Sequence, residues 1–103
     1  MDNNRREISK LLKERTELLF RLNVEYGKGN GETQETSDIL YKKNSISKKI
    51  KKLGGYFNDI SEELFNEVKQ EFLNKTLEKI DRDIAEQISY NQLGIPSNLT
   101  SGK

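Results

Sequence analysis

The fold is decided by the stretch ISKLLKERTELLFRL, residues 8–22. Its apolar side chains recur at spacings of three, four and seven residues, which places them on one face of an α-helix. The same face continues as far as Tyr26. The chain is therefore predicted to begin with an amphipathic helix over about 4–26, which ends at the glycine-rich segment 27–31.

Two further apolar stripes follow this helix. The second stripe consists of Ile39, Ile46, Ile50 and Leu53. It predicts a helix over about 36–53, ended by Gly54-Gly55. A row of apolar residues that steps by four, from Leu64 to Ile88, predicts a third and longest helix over about 60–90. Residues 91–103 are predicted to form a flexible, disordered tail.

The chain has no alternating strand pattern and no hairpin signature, so an all-α fold of three helices in one domain, residues 1–90, is predicted. The helices could form an up-down-up bundle, or a long antiparallel hairpin with the third helix laid across it. Apolar residues make up 32% and charged residues 34% of the chain. We therefore expect a thin core, with part of a helix face buried against another protein or in a homodimer.

The composition argues against catalysis. The chain contains no histidine, no cysteine and no tryptophan, which removes the usual general base, the thiol nucleophile and two common metal ligands. The loop at residues 27–31 is not followed by the Gly-Lys-Ser/Thr sequence of a phosphate-binding loop, and the carboxylates lack calcium-loop spacing. We expect no enzymatic activity, no metal and no cofactor. No apolar run approaches the roughly 18 residues of a membrane span, so a cytoplasmic location is the default expectation.

Six lysines and no acidic residue occupy eleven consecutive positions of the second helix. They are Lys42, Lys43, Lys48, Lys49, Lys51 and Lys52. One interpretation is pairing with the third segment, where residues 60–86 carry eight acidic and four basic side chains, or plain solvation. The other is a nucleic-acid contact through Lys48, Lys51 and Lys52, which a helical wheel directs away from the isoleucine seam. No aromatic residue interleaves with the lysines as a stacking surface would require.

Arg15 falls inside the apolar stripe of the first helix, seven residues after Ile8 and seven before Leu22. An arginine in such a position extends to the surface, pairs with a carboxylate or binds an anion. We expect either an ion pair with the acidic third helix, an exposed edge of the seam, or an anion site inside the helical bundle.

The run LLKERTEL, residues 11–18, resembles the Leu-Leu-x-x-Arg-x-x-Leu stretch of the all-helical chorismate mutases. Ile60-Ser61-Glu62-Glu63 also resembles the opening of that family's last helix. The resemblance implies a helical bundle with an anion site at Arg15. Positions where the family has a lysine and a glutamine are Tyr26 and Ile80 here, so mutase activity is not implied.

The sequence favours a small non-enzymatic protein that binds another protein, as an adaptor, regulator, inhibitor or secretion accessory. The candidate contact residues are Tyr56 and Phe57, beside the double glycine, and Phe20, which lies off the main stripe of the first helix. These aromatic side chains could instead close the end of the bundle. Nucleic-acid binding through the lysine-rich helix is the alternative, and a degenerate chorismate-mutase-like bundle is the third.

Overall fold

The computed structural model describes residues 2–56 and 58–93 of the chain. They form four α-helices, α1 (Asp2–Gly27), α2 (Gln34–Lys52), α3 (Glu62–Leu73) and α4 (Lys79–Gln87), followed by a short 3₁₀ helix, Tyr90–Leu93. No strand forms within these residues, and the prediction of an all-α fold is confirmed.

The prediction of one long third helix is wrong, because the segment is divided into α3 and α4. Asn74 caps the C-terminus of α3, and α4 begins after Glu78. Asparagine and the β-branched Thr76 are poor helix formers, so the break occurs where a continuous helix is least favoured. The apolar row that steps by four also drifts around a straight helix, and dividing the helix lets both halves pack against α1.

Both predicted glycine breaks are helix C-termini of the Schellman type. At the end of α1, the Asn30 N–H donates to the Glu25 carbonyl at 2.9 Å, and Gly29 has a φ of +88°. At the end of α2, the Gly55 N–H donates to the Ile50 carbonyl at 3.0 Å, and Gly54 has a φ of +91°. Glycine is favoured at the left-handed position because it lacks a Cβ.

Helix α1 is the centre of the molecule. It packs against α2, α3, α4 and the 3₁₀ helix, and α3 packs against α4. The main core is built around three phenylalanine rings: Phe20 lies 5.3 Å from Phe65 and 5.6 Å from Phe72, measured between ring centroids. A smaller cluster of Leu11, Leu12 and Ile50 joins α1 to α2. The lysine-rich helix is therefore held mainly by α1.

The end of the described chain is anchored to the core. Leu93 is buried, and the Tyr90 hydroxyl donates to the Ile60 carbonyl at 2.6 Å. The tail predicted from residue 91 therefore begins with three residues of a packed 3₁₀ helix. The rest of that prediction, residues 94–103, lies outside the described residues.

Candidate binding surface

The three lysines predicted to face outward are exposed. Lys48, Lys51 and Lys52 all lie on the solvent side of α2. Among the residues that the structure describes, neither these three nor the other lysines of α2 form an ion pair. The lysine-rich helix thus presents cationic side chains to solvent.

Among the described residues no ion pair joins the lysine-rich helix to the acidic third segment, so of the two predicted alternatives, pairing or plain solvation, pairing is wrong there. Lys13 of α1 lies 2.9 Å from Glu67 and 3.1 Å from Glu71, joining α1 to α3. Glu17 of α1 pairs with Lys75. Since α1 provides the surface on which both α2 and α3 pack, it supplies the charges that meet α3.

The charges are consequently separated within the molecule. Helix α2 carries six lysines against Glu35 and Asp38. Residues 58–93 carry nine acidic and four basic side chains. The formal net charge of the chain is only +1, yet α2 is a concentrated positive region.

An aromatic side chain missed by the sequence argument lies among these lysines. Tyr41 is 77% exposed and precedes Lys48 by seven residues, which places both on one side of α2. The signal was present in the sequence, because Tyr41 directly precedes Lys42 and stands seven residues before Lys48. We call Tyr41, Lys48, Lys51 and Lys52 the lysine face.

A cavity of about 360 Å³ opens at the C-terminal end of the lysine face. The described residues that line it are Ser47, Lys48, Lys51, Gly55 and Tyr56, and its wall is mainly apolar. Tyr56, a predicted contact residue, is 63% exposed at its edge. We call this cavity the recess. The sequence indicated Tyr56 but not Ser47, a small polar residue whose role depends on its neighbours in space.

Arg15 lies between α1 and α2 beside the recess wall. Its side chain is only 6% exposed, and its Nε–H donates to Ser47 Oγ at 2.8 Å. The Ser47 hydroxyl in turn donates to the Lys43 carbonyl at 3.0 Å. Burial lowers the pKa of the Arg15 guanidinium. The pKa of Lys43 is also lowered, mainly by burial and to a smaller extent by the positive charge of Arg15. Arg15 therefore fixes Ser47, while anion binding there remains a prediction.

The remaining predicted contact residues are not on this surface. Phe20 is 0% exposed, so the prediction of an interface residue is wrong for this position in the folded chain. Its ring packs against Phe65 and Phe72 of α3, because α1 also packs against that helix. Phe57 lies outside the described residues.

The described chain has neither a metal cluster nor a membrane-spanning helix. No group of three or more carboxylates within it could hold a metal ion. None of its helices combines the length and apolar character needed to cross a membrane. The lysine face and the recess together form the candidate site.

No protein-family model, no curated protein and no solved structure matches this chain. The resemblance to the helical chorismate mutases accordingly stays a prediction from the residues that carry it.

Proposed function

We propose that this chain is a non-catalytic binding protein whose lysine face holds an acidic segment of another protein. The observation that carries the proposal is the exposed cluster of Lys48, Lys51 and Lys52 on a helix whose lysines form no ion pair among the described residues. Unpaired cations beside exposed tyrosines are typical of surfaces that recognise acidic partners, since charge supplies orientation and aromatic rings supply contact area.

The recess favours a protein partner over nucleic acid. A phosphate group would lose hydration in a mainly apolar cavity, whereas an apolar side chain would gain from burial there. A base edge would need hydrogen-bonding groups, but the Ser47 hydroxyl already accepts from Arg15 and donates to the Lys43 carbonyl.

Nucleic-acid binding is the second candidate, and Tyr41 supports it. Its exposed ring lies on the same side of α2 as Lys48, and such a pair can stack a base while contacting phosphate. Binding of this kind would weaken steeply as the salt concentration rises.

The test is affinity capture from a lysate of the source organism, with and without nuclease, read by mass spectrometry and ultraviolet absorbance. The bait proteins are the wild type and the variant K48E/K51E/K52E. We expect one stoichiometric protein with an acidic segment to be retained by the wild type after nuclease treatment and lost with the variant.

The control variant is R6E/K10E, which reverses charges at exposed positions of α1 outside the lysine face. It should retain the same protein. Equal capture by all three baits would contradict the proposal. Recovery of nucleic acid by the wild type alone, with every protein lost on digestion, would replace it with the second candidate.

A further inference from the structure

The recess and the lysine face are continuous. Lys48 and Lys51 belong to both: they are exposed residues of α2, and they line a cavity whose wall is mainly apolar. A segment seated on the lysine face therefore passes over the opening. What enters the recess then depends on the residue that the segment carries at that point.

The recess has room for an apolar side chain. Its volume of about 360 Å³ lies at the lower end of the range for ligand pockets, about 300–1,000 Å³. Two of its lining residues are tied to the core: Gly55 lies close to the side chains of Ile8 and Ile50, and Ser47 accepts the hydrogen bond from Arg15. A preformed apolar cavity of this size can bury one branched aliphatic or aromatic side chain.

We infer that the partner segment is an acidic peptide with one apolar anchor residue, which inserts into the recess while flanking carboxylates contact Lys48 and Lys51. This inference rests on the proposed function and adds the recognition element to it. Charge supplies the general attraction, and the anchor supplies selectivity among acidic segments. The exposed Tyr56 ring at the edge of the recess packs against the anchor.

The experiment is a titration followed by ¹H–¹⁵N correlation spectra of the full chain with three synthetic peptides of equal length. The first consists of glutamates with one central leucine, and the second has serine in place of the leucine. The third keeps the leucine but has glutamine in place of every glutamate. Because the protein itself is unmodified, the comparison does not depend on how any variant folds.

The acidic leucine peptide should shift the amide signals of Lys48, Lys51, Gly55 and Tyr56. The acidic serine peptide should bind roughly 10-fold to 100-fold more weakly, since it lacks the burial of one leucine side chain. With Tyr56→Ala, a change at an exposed position, the Kd values of the two acidic peptides should approach each other. R6E/K10E should bind both as the wild type does.

The failures are distinguishable. Equal affinity of the two acidic peptides for the wild type would overturn the anchor and leave the proposed function standing. No binding of either acidic peptide, or equal binding of the neutral leucine peptide, would overturn the proposed function as well. A single-stranded oligonucleotide of the same charge that binds more tightly than every peptide would overturn both in favour of nucleic acid.

Discussion

At the residue scale, close packing explains one of the glycines at the α2 terminus. A Cβ at Gly55 would lie 3.0 Å from Ile8 Cγ2 and 3.3 Å from Ile50 Cγ2. The turn after α2 thus approaches α1 more closely than a larger residue permits. Gly55 also lines the recess, so this close approach lies within the candidate site.

We predict that Gly55→Ala lowers the free energy of unfolding by about 1–3 kcal/mol, because the added methyl forces Ile8 to move. Urea unfolding followed by circular dichroism measures this change. Gly31→Ala is the matched control, since a Cβ there meets nothing within 4 Å, and it should change stability by no more than about 0.5 kcal/mol. Equal effects of the two substitutions would refute the close approach.

At the element scale, α3 and α4 satisfy each other's C-termini. Arg82 of α4 donates from Nη1 to the Leu73 carbonyl at the end of α3. Lys69 of α3 donates from Nζ to the carbonyls of Glu86, at 3.0 Å, and Ile88, at 2.9 Å, at the end of α4. Carbonyls in the last turn of a helix lack intrahelical partners, and a cation there also offsets the helix dipole. These bonds stabilise the break between the two helices.

We predict that Lys69→Met destabilises the fold by roughly 1–2 kcal/mol, because two carbonyl groups lose a charged donor. Hydrogen exchange should show the largest loss of protection in α4, with a smaller change in α1. Lys42→Met, at an exposed position of α2, serves as the control and should leave exchange in α4 unchanged. A uniform loss across all four helices would speak against a capping role.

At the scale of the whole molecule, lysine-mediated ion pairs connect the elements around α1. Lys13 joins α1 to two glutamates of α3, and Lys28 lies 3.0 Å from the buried Asp81 of α4. Hydrogen bonding to their carboxylate partners raises the pKa of both lysines above the ordinary 10.5, as it does for Lys79 beside Asp83. The folded chain therefore retains protons that the unfolded chain releases.

We predict that the free energy of unfolding falls as the pH rises above 10.5, through the raised pKa values of Lys13, Lys28 and Lys79. The stability that a raised lysine pKa contributes is fully present below the pKa of that lysine in the unfolded chain. It is lost as the pH rises through the pKa of the same lysine in the folded chain. Chemical denaturation across this range measures the slope. Lys13→Met should make the loss shallower.

Lys43 provides an internal contrast, because burial lowers its pKa and its contribution has the opposite sign. Its charged form opposes folding, so stability recovers as the pH rises through its lowered pKa toward 10.5. Lys43→Met should abolish that recovery and leave the loss at higher pH unchanged. If the loss of stability above pH 10.5 is as large in Lys13→Met as in the wild type, the proposed role of the ion pairs is contradicted.

Much of the fold could be predicted from sequence, because its signals are local. Apolar spacing in residues 8–22 and the glycines after α1 and α2 predicted an all-α fold and the ends of two helices. These features depend on backbone preferences and on periodicity along one segment. The outward direction of Lys48, Lys51 and Lys52 followed from the same periodicity.

Only the tertiary structure decided which faces find partners. Helix α1 packs against α2, α3 and α4. Three features depend on this arrangement: the break between α3 and α4, the burial of Phe20 and the pairing of Lys13 with the α3 glutamates. The recess likewise forms between residues of α2 and the turn at Gly55, which packs against Ile8 of α1. Periodicity identifies the apolar face of a single helix. Helix partners, cavities and ion pairs depend instead on residues that are far apart in the chain, and for this physical reason they could not be predicted from the sequence.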